Sequence, residues 1–249
     1  FLPRSRSPFL LMDDRGSCPW NGVPFRLLLG LGGLVFCLLL WPGNRCAAAD
    51  IVENYDDVSE GTISWGAFYD RRACRMLDHR RVTRAREGRG AEYFRFQAAD
   101  QGTLIEMKQT VPPTEVLLDE THLSLWVRST RGGCRLSVNV VLPNQVDTTT
   151  NEKPLRIRFD RFEGNTYTDE GQWQQLHCRL TRRAIASNLS WARDFYDVSD
   201  IDTSGMYIER IIVTTQTVAG PVEFLFDEMR LGPHIKPSQI IPVDRRTNG

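Results

Sequence analysis

The sequence predicts an all-β protein: a two-sheet antiparallel β-sandwich with one short helix, preceded by a signal-peptide helix. Three observations predict it. Beyond residue 90 the chain falls into short runs in which apolar and polar residues alternate with a period of two, as half-buried strands do. Gly and Pro separate these runs, and only one interlude has apolar residues at helical spacing. A composition of 41% hydrophobic and 25% charged residues is that of an ordinary globular chain, which excludes disordered, collagenous and coiled-coil classes.

In chain order, residues 91–97 (AEYFRFQ) form the first alternating run. Residues 102–111 follow and meet Pro112-Pro113, where two residues without N–H donors are expected to stop the ladder. Over residues 122–129, Leu123, Leu125 and Val127 share one face while Ser124, Trp126 and Arg128 share the other. Gly132-Gly133 turns the chain into residues 135–142, with Leu136, Val138, Val140 and Leu142 on a single face. Residues 155–159 (LRIRF), 171–180, 207–215 and 222–231 complete the set. The helical interlude is residues 182–195, where Ile185, Leu189 and Ala192 lie near helical spacing; it is expected to pack across one end of the sandwich. Residues 200–205 (DIDTSG) turn back into the sheet. They open like a calcium-binding EF-hand loop, but the twelfth position is Ile211 instead of the bidentate Glu, so that reading is rejected.

Ahead of the strands lies an export signal. Met12 is the expected start, Arg15 and Arg26 supply a positive flank, and residues 27–41 (LLLGLGGLVFCLLLW) form an apolar core of 15 residues. That core is short of the roughly 20 needed to span a bilayer. Pro42-Gly43 breaks the helix, and Ala47-Ala48-Ala49 offers the small residues a signal peptidase reads, so cleavage is expected between Ala49 and Asp50. The alternative is an uncleaved N-terminal helix that anchors the protein. With no second apolar run, a polytopic membrane protein is excluded. The expected organisation is therefore an N-terminal extension and signal peptide over residues 1–49, a sandwich domain over 50–233, and a C-terminal linker or truncated tail over 234–249.

Lys and Arg number 31 and so do Asp and Glu, which leaves a formal charge of zero and none of the blanket attraction a nucleic-acid binder needs. The exported portion would carry 26 basic and 29 acidic groups. It would retain Cys74, Cys134 and Cys178, enough for one disulfide and a spare thiol, or none. Cys178, inside an alternating run, is expected to be a small buried hydrophobe. No CxxC pair or Cys/His cluster suits structural zinc.

The order Gly171-Gln172-Trp173, a helix, residues 208–213 (IERIIV) and residues 220–231 (GPVEFLFDEMRL) resembles a β-jelly-roll module. It is similar to the galactose-binding-like and carbohydrate-binding modules attached to secreted bacterial glycoside hydrolases. The acidic pair in Phe226-Asp227-Glu228 and the opening residues 51–57 (IVENYDD) carry the rest of the likeness, which covers about residues 50–233. The resemblance implies a non-catalytic module that binds carbohydrate, with a catalytic domain downstream. It also implies one structural Ca²⁺ between the first and last strands. Glu53, Asp56 and Asp227 are the candidate oxygen ligands for that hard cation, unless they pair with Arg71, Arg72 or Arg230 instead.

A glycan site needs an aromatic face for the sugar's C–H groups and planar polar groups for its hydroxyls. Trp126 is the leading candidate because it lies opposite the Leu/Val face, unless a loop or the second sheet covers it. Asn139 and Arg158 are expected on the polar face of adjoining strands, and Tyr167 in the loop 165–168 is placed to flank a sugar. Trp173, after a turn, is expected to anchor the core. Arg71 to Arg89 holds eight Arg in nineteen residues, which reads as an anion-binding surface or, with Asp70, Asp78 and Glu87 diluting it, as a solvated edge. None of His79, His122, His177 and His234 sits in a recognisable catalytic motif. The competing expectation is a structural or interaction sandwich of the cell envelope with no glycan site.

Overall fold

A computed structural model describes residues 48–59, 63–151, 153–160 and 163–241. The expected signal peptide lies outside the described residues except for Ala48 and Ala49, and so does the tail from residue 242.

Twelve strands and one helix follow in chain order among the described residues: β1 (Ile51–Glu53), β2 (Trp65–Tyr69), β3 (Cys74–Val82), β4 (Ala91–Ala98), β5 (Thr103–Glu115), β6 (His122–Ser129), β7 (Arg135–Leu142), β8 (Leu155–Phe159), β9 (Glu163–Gly164), β10 (Trp173–Arg179), α1 (Arg182–Tyr196), β11 (Tyr207–Thr217) and β12 (Gly220–Gly232). They form two antiparallel sheets. The larger has the order β3-β4-β12-β6-β10-β9, with β1 also paired to β12; the smaller has the order β2-β5-β11-β7-β8. The architecture is the sandwich the alternation predicts.

One core fills the space between the sheets. Phe94 and Phe96 of β4, Leu123, Leu125 and Val127 of β6, and Phe224 and Phe226 of β12 face Ile105 and Met107 of β5, Val138 and Val140 of β7, and Ile211 and Val213 of β11. Burying each such side chain contributes about 1.5–3 kcal/mol. Cys74, Cys134 and Cys178 are buried and unbonded to one another, and burial pushes the Cys134 and Cys178 thiols up to about 12. They behave as small apolar residues.

Three strands were not expected, the two-residue β9 and the longer β2 and β3, and β5 extends beyond its predicted end. β2 precedes the Arg-rich stretch and β3 lies within it, forming one edge of the larger sheet. Its outward Arg side chains put charge along an edge that would otherwise invite pairing with another chain. β5 runs through Pro112-Pro113 to Glu115 instead of stopping before them. The β5–β11 register slips between Ile208 and Arg210, so the prolines sit opposite an irregularity and pairing resumes at Thr114.

Helix α1 forms where expected. Its N-cap Thr181 accepts from Ala184 N at 3.2 Å, and Asp197 closes it in the left-handed conformation. Ile185 and Ala192 are buried and Leu189 packs beside them. Asn188, although it opens an Asn-Leu-Ser glycosylation sequon, is buried: its amide donates to Ala184 O at 2.9 Å and its carbonyl accepts from Asp160 N at 3.2 Å, tying α1 to the end of β8. Asn188→Ala should therefore lower stability by about 1–2 kcal/mol in a urea titration. A loss within error would mean that α1 is not held by this pair of bonds.

Residues 234–241 do not leave the sandwich. Ile235 O accepts from Glu115 N at 2.8 Å, His234 Nδ1 meets Thr114 Oγ1 at 2.9 Å, and Ile241 N donates to the Tyr207 hydroxyl at 3.1 Å.

Candidate functional site

Each sheet has an outer face, and the residues singled out from sequence divide between the two. On the larger sheet the register aligns Arg80, Tyr93, Leu225, Arg128 and Trp173 in one cross-strand row. The next row aligns Asp227, Trp126 and Gln175. Tyr93 and Leu225 are buried with Ala91, and Trp173 packs against them, so Trp173 supports this outer cluster instead of the main core. Trp126 does face outward as its alternation predicts. It is half-buried, however, and the Arg86 guanidinium from the β3–β4 loop lies over its ring, 3.7 Å from the centroid.

Asp227 holds that loop down. Its carboxylate accepts from Arg86 N at 2.8 Å, Glu87 N at 3.1 Å and Glu228 N at 2.8 Å. Burial lifts its pKa above the ordinary value, and the neighbouring Glu228 charge adds to this against the opposing backbone bonds. Asp56 accepts from Arg89 N at 2.5 Å and from the Asn54 amide at 3.0 Å, whereas Glu53 accepts from Tyr55 N and lies 3.7 Å from Arg81. The three carboxylates proposed for Ca²⁺ are thus engaged separately by backbone N–H groups and by Arg81. Among the described residues no group of three or more His, Cys, Asp or Glu side chains is placed to hold a metal ion. The donor set does not fit the cation.

Tyr167 is also displaced from its expected role. Its ring is fully buried and its hydroxyl bonds only to backbone, so it has no face to offer a sugar.

Asn139 and Arg158 do come together, but on the smaller sheet, away from Trp126. They are paired directly between β7 and β8, and Arg210 of β11 continues their row. Beside that row is a cleft of about 570 Å³ lined by Arg135, Ser137, Arg158, Asp160, Thr214 and Gln216, with Leu104 and Leu136 among its apolar contacts. Arg158 reaches across three strands: Nη1 donates to Glu106 and Nη2 to Thr214 Oγ1. Glu106 also accepts from Lys108 Nζ at 2.7 Å. Burial raises the Glu106 pKa, but the cations Lys108 and Arg158 outweigh it and hold the carboxyl below its ordinary value.

The aromatic partner that sequence reasoning missed is Phe68. It is 64% exposed on the edge strand β2 and shares a row with Glu106, Thr214 and Arg135. Lys108 Nζ lies 5.0 Å from its ring centroid. Ring and Arg135 are thus separated by three strand spacings, about 14 Å. A usable signal was present in residues 65–69 (WGAFY), where Phe68 falls between the inward Ala67 and Tyr69.

These features define an antiparallel β-sandwich with a polar cleft on one sheet and an exposed aromatic ring at the end of the cleft's row. No protein-family profile matches the chain, and no curated protein matches it. Solved structures to which it is similar are carbohydrate-binding modules. One comes from a study of the promiscuous specificity of such modules in the β-sandwich superfamily: 12% identity, TM-score 0.43, covering 75% of this chain and 63% of that one. A second is the family 30 module of a cellulosomal cellulase of Clostridium thermocellum, with 11% identity and TM-score 0.44 over 74% of this chain and 96% of that one. A third is a family 11 module from Clostridium thermocellum in complex with a β-1,3-1,4-mixed-linked tetrasaccharide, with 11% identity and TM-score 0.39 over 73% and 95% of the two chains.

Proposed function

We propose that this chain is a glycan-binding module whose site is the outer face of the smaller sheet. The observation that carries the reading is the cleft with Phe68 in its row. An exposed ring can take the apolar face of a sugar, while Arg158, Gln216, Thr214 and Ser137 offer planar and hydroxyl groups for its oxygens. Trp126 is excluded from this site because it belongs to the opposite face. In the same proposal the protein is exported and serves as an accessory to a glycoside hydrolase, holding that enzyme on its polysaccharide.

The test is affinity electrophoresis of the protein through gels containing soluble β-glucans, galactan and pectic polysaccharides. Retardation by at least one is expected. Phe68→Ala should weaken that binding about tenfold, the loss of one ring–sugar contact. Trp126→Ala should leave it within about twofold, since 1.4 kcal/mol separates each decade and its ring lies elsewhere. Retardation that depends on Trp126 and ignores Phe68 would move the site to the larger sheet. No retardation by any polymer would leave the structural sandwich as the reading.

A further inference from the structure

We infer that the glycan taken by this face is anionic, its sugars bearing carboxylate or sulfate groups. This rests on the glycan-site reading above. The cleft carries donors in excess of acceptors. Arg135 and Arg158 line it together with one carboxylate, Asp160, which is exposed just past the end of β8. Glu106, beneath Arg158, is already shared between two cations. Arg156 is paired with Glu209 at 3.2 Å. Among the described residues, however, neither Arg135 nor Arg210 has a carboxylate within ion-pair distance; Arg135 Nε donates to Thr166 Oγ1 at 3.1 Å and leaves the rest of its guanidinium unpaired.

A second observation is independent of charge counting. Arg158 Nε and Ser137 Oγ, both of residues that line the cleft, are buried and have no hydrogen-bond partner. Ser137 is itself almost wholly buried, yet it lines the cleft. Buried donors left without acceptors are costly, so such groups mark places where a partner is supplied from outside. Both can donate. An acceptor-only group such as a carboxylate or sulfate answers them, and a guanidinium binds either one through two parallel bonds. A neutral sugar hydroxyl would satisfy one donor but would leave the cations without counter-charge. Nucleic acid is the less favoured polyanion here, because a single exposed ring provides no stacking platform.

Binding of the protein to polygalacturonate, dextran sulfate, neutral mixed-linked β-glucan and duplex DNA at 0.15 M NaCl tests this. Polygalacturonate or dextran sulfate should bind at least tenfold tighter than the glucan; the first names a carboxylate and the second a sulfate. Arg135→Ala, which breaks no ion pair, should weaken that binding about tenfold, as loss of one charge-assisted contact does. The exposed pair Arg71→Ala/Arg72→Ala should leave it unchanged. Glucan bound as tightly as the acidic polymers, with Arg135→Ala silent, would overturn the anionic inference and keep the glycan site. Equal losses in the Arg135 and Arg71/Arg72 variants would expose diffuse charge attraction and overturn it as well. Preference for DNA would overturn it in favour of a nucleic-acid face. No binding to any polymer would overturn the glycan-site reading beneath it.

Discussion

Glu92→Ala is expected to destabilise the protein by about 3–5 kcal/mol, the usual consequence of removing one member of a buried ion pair. Glu92 is fully buried near one end of the sandwich. Oε1 meets His79 Nε2 at 2.8 Å and accepts from Trp65 N at 3.4 Å, while Oε2 accepts from Arg81 Nε at 3.0 Å. Arg81 is nearly as buried and stacks 5.0 Å from the Tyr55 ring centroid, with Nη2 donating to Ser64 Oγ at 3.1 Å. Tyr55 in turn donates to Gln109 at 2.8 Å and accepts from Trp65 Nε1 at 3.0 Å. One carboxylate therefore connects β3 and β4 to β2 and, through Tyr55, to β5. Truncating it leaves the Arg81 guanidinium, only 6% exposed, with the longer 3.7 Å contact to Glu53 as its remaining counter-charge. A urea titration followed by Trp fluorescence should show the midpoint fall with an unchanged slope. Glu92→Gln should fall between Ala and wild type, because shape is kept while the charge is lost. A loss below about 1 kcal/mol for the Ala variant would mean that Arg81 swings out to solvent and that the network is not obligatory.

The same network explains why part of the fold was hidden from the sequence. β6 and β7 are legible because their inward residues, Leu123-Leu125-Val127 and Leu136-Val138-Val140-Leu142, are all apolar. β3 is not. Its inward positions near the end of the strand are His79 and Arg81, which are made tolerable by Glu92 across the strand pair instead of by hydrophobicity. The register slip between Met76 and Asp78 also inverts the alternation midway. β5 hides its final residues behind two prolines whose missing donors cost nothing opposite an irregularity.

The candidate site was legible only in halves. Alternation correctly sends Trp126, Asn139 and Arg158 outward, but it cannot say which sheet each strand joins, and strand order places β6 and β7 in different ones although they are consecutive. Phe68 was missed because β2 is five residues long, with aromatic residues on both faces and a glycine between them. Glu53, Asp56 and Asp227 are genuinely near residues 81–90, but backbone donors occupy the carboxylates. Nothing in residue type distinguishes an acid that anchors a loop from one that holds a cation.

Tyr167 supplies the other large effect. Tyr167→Ala should lower stability by about 3–5 kcal/mol through loss of a fully buried ring. Tyr167→Phe should lower it by about 1–3 kcal/mol, through loss of the hydroxyl alone. That hydroxyl accepts from Ser129 N at 3.0 Å and lies within 3.0 Å of the carbonyls of Ser129, Asp169 and Gln172, so its single proton serves one of three acceptors at a time. The backbone on either side is fastened too: Tyr167 N donates to Cys134 O and Gly133 N donates to Tyr167 O, each at 2.9 Å. The residue therefore joins the end of β6 to the start of β7 and to the loop before β10. Thr166 and Arg135 belong to the segments it holds, so it supports the cleft without touching a ligand. Calorimetry and glycan titration on the same variants separate this role from the sugar contact its loop position implies. Tyr167→Phe should lower the melting temperature while leaving affinity within about twofold, well under the 1.4 kcal/mol of a decade. Weakened binding at undiminished stability would return the ring to the ligand and require the loop to open.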